Sequence, residues 1–205
     1  MKIVIKLGGS LIDYAPDIIK NIQKIKKHTI VIVPGGGIFA NVIRDIAKKY
    51  KISEIKAHSM AILSMEQYGL YLLDKTDANR IESLDDAKIG VSILLPYNLL
   101  KDNDELIPSW DTTSDTISAW IAYKFGAKFI KVTSVDGVFD KDDTLIKKID
   151  SIELLKMGTT CADLALPKFL SKRKMSCLIV NGKQIDRVIN AIYGNAVIGT
   201  YVSGI

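Results

Sequence analysis

Ile3, Val4, Ile5 and Leu7 follow one another with little polar interruption at the start of the chain, a pattern that predicts a strand covered on both faces rather than an alternating edge strand. Comparable apolar runs recur at Thr29–Val33, around Lys88–Leu95, at Lys128–Val132, at Ser176–Val180 and about Ala196–Thr200. Between them the period becomes helical. Ile18, Ile19, Ile22 and Ile25 predict a helix over 14–27 with Lys20, Lys24, Lys26 and Lys27 largely on its other side. Ile38, Val42, Ile43, Ile46 and Ala47 predict an amphipathic helix over 38–50. Ala57, Ala61, Leu63, Met65, Leu70 and Leu73 predict a longer one over about 54–73, weakened by Gly69. Ile117, Ala119, Trp120, Ile121 and Ala122 mark a further helix, residues 184–193 another, and Lys101–Glu105 a polar turn. Strands alternating with helices predict one α/β core.

Composition narrows the class. A chain of 205 residues, 48% hydrophobic and 25% charged with 5 prolines, suits one folded domain with a sizeable core. Its formal net charge of +5 includes clusters at Lys24, Lys26 and Lys27 and at Lys172, Arg173 and Lys174, which read as solvated helix ends. Aromatics do not interleave with them, so no nucleic-acid partner is expected, and the charge fits anionic small substrates. Cys161 and Cys177 form no CxxC pair, and neither an export signal nor an apolar run of 18 residues is visible. A cytoplasmic enzyme, without membrane partner or disulfide stapling, is the expectation.

The candidate chemistry gathers where strands end. Lys6 precedes Gly8, Gly9 and Ser10, a turn whose backbone amides can meet an anion, although a glycine pair also serves as a plain strand-to-helix turn. Pro34 precedes Gly35, Gly36 and Gly37, a second glycine-rich loop at a strand's C-terminal end, where open α/β sheets place ligands. Trp110, Asp111, Thr112, Thr113, Ser114 and Asp115 then lead into an apolar helix, where Asp111 and Asp115 serve either as caps or as carboxylates that orient lysines or a metal around phosphates. Trp110 either lines a pocket for a planar substrate or packs inward. Thr133, Ser134, Asp136, Gly137 and Phe139 follow another buried strand, a mixture suited to a nucleotide. Asp140, Asp142 and Asp143 lack EF-hand spacing, and His28 and His58 lack neighbours at metal-ligand spacing, so no direct metal ligand is assigned. Lys168, after Asp163 and Pro167, is a late cation near an apolar face.

Together KLGGS at Lys6–Ser10, PGGG at Pro34–Gly37, TTSD at Thr112–Asp115, TSVDGVFD at Thr133–Asp140 and PK at Pro167–Lys168 resemble the amino acid kinase family, in order and across most of the chain. Neither a Walker A loop nor a Rossmann fingerprint is present. The resemblance implies the amino acid kinase fold, a three-layer α/β/α sandwich with a central mainly parallel sheet. It implies a single domain over 1–205, with an acceptor-binding half at about 1–108 and a nucleotide-binding half at about 109–205. It also implies ATP and Mg²⁺, direct phosphoryl transfer and a homo-oligomer. In it Lys6 and Lys168 would meet the transferring phosphoryl group and Asp115 would orient them. Gly8, Gly9, Ser10, Thr133, Ser134, Asp136, Gly137, Phe139 and Lys168 would bind the nucleotide. Gly35, Gly36, Gly37, Trp110, Asp111 and Thr113 would bind the acceptor. The family's GGM before the second lysine is replaced here by Ala162, Asp163 and Leu164.

Within the family, the segment from Trp110 to Asp115 and the helix residues Ala119–Ala122 resemble small archaeal kinases of methanofuran biosynthesis, which act on an aminomethyl-furan phosphate. Chemical complementarity with such a substrate would set its furan near an aromatic such as Trp110 and its ammonium near Asp111, in a compact pocket. Another phosphomonoester (isopentenyl phosphate, UMP or AMP) and a non-catalytic nucleotide-binding regulator are the alternatives.

Overall fold

The computed structural model describes residues 1–103 and 105–205; of the turn expected at 101–105, residue 104 lies outside the described residues. The chain runs β1 (Lys2–Leu7), α1 (Ala15–Ile22), β2 (Thr29–Pro34), α2 (Gly37–Lys49), α3 (Glu54–Lys75), β3 (Asn79–Ile81), β4 (Gly90–Leu94) and α4 (Tyr97–Leu100). It continues with α5 (Ser114–Phe125), β5 (Lys128–Thr133), β6 (Lys148–Asp150), α6 (Ser151–Met157), α7 (Leu166–Arg173), β7 (Cys177–Asn181), α8 (Ile185–Tyr193) and β8 (Gly199–Ser203). Among the described residues no helix is long and apolar enough to cross a membrane.

Eight strands form one sheet in the order β3-β4-β2-β1-β5-β7-β8-β6. Neighbours run parallel except β7 and β8, which pair antiparallel. β1 lies between β2 and β5, and its Ile3, Val4, Ile5 and Leu7 are fully buried, as its continuous apolar run requires. Strand alternation sorts the two cores. Val4, Val33, Phe129 and Ile179 join Trp120 of α5, Leu154 of α6 and Leu170 of α7 in one cluster. Ile3, Ile5, Leu7, Ile130 and Val180 join Ile18 and Ile19 of α1 with Val188 and Ile192 of α8 in the other. The result is the three-layer α/β/α sandwich, and its parity decides the site: Lys6 shares the face of Val4, and Lys131 that of Phe129, beneath α5.

Several boundaries differ from the expectation. The first helix stops at Ile22 rather than 27 because the chain tightens into three-residue turns, Lys24 to Asn21 and Ile25 to Ile22, which still bury Ile25. The final strand begins at Gly199 rather than near 196, where it meets Val180 of β7. The short β3, β6, α4 and α6 have no counterpart in the periodicity. On α2 the expected apolar face is split: Ala47 is buried, Ile43 and Ile46 half-buried, but Ile38 and Val42 are each 56% exposed. The side carrying Gly37, Ala40, Asn41 and Arg44 is turned to a cavity instead.

Candidate active site

β1 and β5 set two lysines side by side, since Lys6 and Lys131 are register partners on adjacent parallel strands. Like charges so placed repel, and both side chains are almost wholly buried. The compensating anion comes from the helix above. Asp115 in the first turn of α5 places Oδ1 2.8 Å from Lys6 Nζ and 2.6 Å from Lys131 Nζ. Burial would push its carboxyl up, but the two ammonium groups and their hydrogen bonds outweigh that and hold it well below the usual carboxylate range. Burial likewise opposes charge on Lys131, yet Asp115 prevails and raises it. For Lys6 burial prevails over Asp115, with help from Lys131, and the amine is pushed down.

Asp163 fixes this arrangement from the 158–165 loop. Its Oδ2 accepts from Thr113 N, Thr113 Oγ1 and Thr116 N at 2.9, 2.8 and 3.0 Å, while Oδ1 accepts from Thr116 Oγ1 and from Leu166 N at 2.6 and 2.8 Å. One carboxylate therefore satisfies amides at the starts of α5 and α7. Its own N–H donates to Asp115 Oδ2 at 3.1 Å, occupying the oxygen that the lysines leave free.

The lysines open into a cavity of about 440 Å³. Gly8, Gly9 and Ser10 line one side and Gly36 and Gly37, at the start of α2, line the other. The two glycine loops touch: a Cβ on Gly9 would lie 2.1 Å from Gly37 Cα, and Gly37 itself has φ of +54°. Only glycine fits this approach, which leaves first-turn amides facing a ligand rather than side chains. Gly35 sits just behind, its N–H donating to Leu7 O, and does not line the cavity. The far wall carries Asn41, Arg44, His58 and Trp110, with Arg44 stacked 5.0 Å from the Trp110 ring centroid. Burial pushes His58 down against a hydrogen bond to the Ser109 backbone, which favours its neutral form.

A second cavity of about 410 Å³ is lined by Val135, Gly137, Val138, Phe139, Met157 and Thr160 among others. Cys161 lines both cavities, its thiol donating to Gly137 O at 3.4 Å. Thr133 lines the first cavity, and Gly137 and Phe139 the second.

Besides Gly35, four residues singled out from the sequence stand elsewhere. Lys168 is exposed in α7 and lines neither cavity; Lys131 is the cation beside Lys6. Asp111 is exposed and not in the cavity wall, its backbone carbonyl tying down Ala165. Ser134 lines neither cavity, and Asp136 turns away to accept from Asn181 and Arg187 at 2.8 and 2.6 Å. Thr113 lines the cavity but spends its hydroxyl on Asp163. Lys131 was overlooked because it lies inside an otherwise apolar run. The available signal was its parity, two residues after Phe129 and two before Thr133, which puts a charge on a covered sheet face.

A mainly parallel sheet with paired lysines, a shared aspartate and two abutting glycine loops at its strand ends is an arrangement suited to phosphate chemistry in an α/β enzyme. Comparison with known proteins agrees and is more specific. The amino acid kinase family model matches residues 1–91 and 72–181, and the chain belongs to that family. It is 33% identical over 213 residues to the [5-(aminomethyl)furan-3-yl]methyl phosphate kinase of Methanocaldococcus jannaschii, with 98% of each chain covered. It is 27% identical to the uridylate kinase of Methanobrevibacter smithii, covering 98% of this chain and 99% of that one. In fold it is similar to the uridylate kinase of Archaeoglobus fulgidus, with a TM-score of 0.78 at 20% identity over 98% of this chain and 100% of that chain.

Proposed function

We propose that the protein transfers the γ-phosphoryl group of MgATP directly to the phosphate of a small phosphomonoester, yielding a diphosphate and ADP. The observation that carries this reading is the pair Lys6 and Lys131 on one aspartate, opening between the two glycine loops. A phosphoryl group in flight spreads negative charge over its equatorial oxygens, and preorganised cations stabilise it without reorganising. Asp115 offsets one of the two positive charges and leaves a net cationic floor. An acceptor phosphate oxygen forms the new P–O bond while the bond from Pγ to the β,γ-bridging oxygen breaks; a dianionic acceptor has no proton to lose. Backbone amides of the Gly8–Ser10 turn and of the α2 start hold phosphate oxygens, and the cavity at Gly137 and Phe139 takes the nucleoside. Asp115, the carboxylate lining the main cavity among the described residues, is engaged by the two lysines and the Asp163 N–H and would not itself hold Mg²⁺, which when bound with ATP would supply further charge neutralisation. Lys168 is not needed for this arrangement.

The acceptor we propose is [5-(aminomethyl)furan-3-yl]methyl phosphate. The named relative at 33% identity supports it, as does a compact cavity with one aromatic wall at Trp110. UMP is the second reading, supported by the uridylate kinase relatives. Self-association belongs to the same proposal, and exposed Val42, Leu63 and Leu70 on α2 and α3 support it. The test compares initial rates with MgATP for the aminomethyl-furan phosphate, its amine-free analogue, UMP, AMP and isopentenyl phosphate. The amine-bearing furan is expected to give the highest kcat/KM. Preference for UMP moves the assignment to the second reading, and ATP binding without turnover of any acceptor overturns the kinase reading in favour of a regulator.

A further inference from the structure

Apart from the Lys6–Asp115–Lys131 cluster, Arg44 is the charged side chain in the main cavity wall. Among the described residues it pairs with no carboxylate: one Nη1 donates to Asn41 Oδ1 at 3.3 Å, and the guanidinium lies over the Trp110 ring. An exposed arginine resting on an aromatic face is held weakly compared with one bonded to a phosphate, where its planar fork makes two charge-assisted hydrogen bonds. Position lets it make that exchange. Gly37, Asn41 and Arg44 follow one face of α2, and a helical side chain inclines toward the helix N-terminus. Arg44, Trp110 and the Gly36–Gly37 loop all line the same cavity, so a guanidinium that leaves the indole stays beside the loop's side of that cavity wall.

We propose that Arg44 holds the Trp110 face as a placeholder, leaving it to bind the acceptor's phosphate while the acceptor's planar ring takes its place on the indole. This deepens the phosphomonoester-kinase reading and rests on it for the identity of the acceptor. It also answers how a cationic arm on the acceptor is accommodated without Asp111, which is absent from the wall. A ring seated on the indole keeps its cationic arm close to the same electron-rich face, and the departure of Arg44 removes the competing charge.

The exchange is read without ATP, so that binding and turnover are separate. Trp110 is the half-exposed tryptophan that lines the cavity, whereas Trp120, within α5, is buried in the core, so a ligand-dependent change in emission reports chiefly the former. The probes are the aminomethyl-furan phosphate, the corresponding alcohol lacking phosphate, and UMP. In the intact chain the phosphates are expected to give a saturable change in emission and the alcohol to bind at least about tenfold more weakly. Trp110→Phe should abolish the change. Arg44→Met, an exposed substitution whose folding is checked by circular dichroism, should weaken phosphate binding about tenfold or more and leave the alcohol's affinity unchanged or improved. Equal phosphate affinity in R44M, or an equal loss for alcohol and phosphate, overturns the proposal. Absence of any phosphate-induced change in the intact chain overturns it too. Turnover measured in parallel keeps the two readings apart: the binding pattern without turnover counts against the kinase, and turnover without the pattern counts against the exchange.

Discussion

Lys6 and Lys131 divide one carboxylate oxygen between them, so each depends on Asp115 for its place and Asp115 depends on both for its charge. Removing either ammonium should cost turnover through lost stabilisation of the transferring group, on the order of a hundredfold or more. Steady-state rates of Lys6→Met and Lys131→Met against Lys168→Met check this, with K168M expected within about twofold of the parent. An inert K131M beside a crippled K168M would return the role to Lys168. Asp115 also ties stability to pH. Its folded pKa lies below its unfolded value, so it contributes stability above about pH 4 that is lost as pH falls through the folded pKa. Urea titrations from pH 6 to pH 3 should show the parent losing stability on the acid side and Asp115→Asn losing less. At neutral pH D115N should be weaker by about 3–5 kcal/mol, because two buried ammonium groups lose their counter-ion. A parent and variant with parallel acid profiles would remove Asp115 as the source.

At the scale of elements, the site depends on α5 and α7 starting where they do, and one side chain governs both starts. Asp163→Ala leaves the caps of two helices unmade and should cost about 2–4 kcal/mol. Because α5 carries Asp115, activity should fall more than the loss of folded protein explains. Comparing thermal midpoints with kcat at a temperature where both proteins are folded checks this; D163N, which keeps one acceptor oxygen, should fall between. Much of this level was legible in the sequence. β1, β2, β5 and α5 are long, continuously apolar or strongly periodic, and both glycine loops followed from their place after buried strands. What was not legible depends on partners distant in the chain. β3 and β6 have three residues each and exist because a neighbouring strand is present to pair with them. Asp111 and Asp136 have the right chemistry in the right segments, but the backbone of Asp111 is tied to Ala165 and the carboxylate of Asp136 is held by Asn181 and Arg187. Lys131 belongs to the same class of miss, since its importance comes from lying across from Lys6.

Across the whole molecule, the expected division into an acceptor half and a nucleotide half does not correspond to any break in the sheet. β1 belongs to the first half and β5 to the second, yet they pair along five registered positions in the middle of the sheet, and the Lys6–Asp115–Lys131 cluster joins the two. Trp110, from the second half, lines the cavity against Arg44 of the first. Each half alone would expose a long apolar strand edge at the seam, which favours aggregation over independent folding. The chain should therefore unfold as one cooperative unit. Far-ultraviolet circular dichroism follows all helices, whereas tryptophan fluorescence follows Trp110 and Trp120 in the second half alone. The two urea transitions are expected to superimpose, and MgATP should shift both by the same amount, because a ligand that binds the folded state stabilises the entire cooperative unit. A fluorescence transition that moves with MgATP while part of the dichroism change stays in place would mean that the acceptor half unfolds separately, and the single-domain reading would then fail.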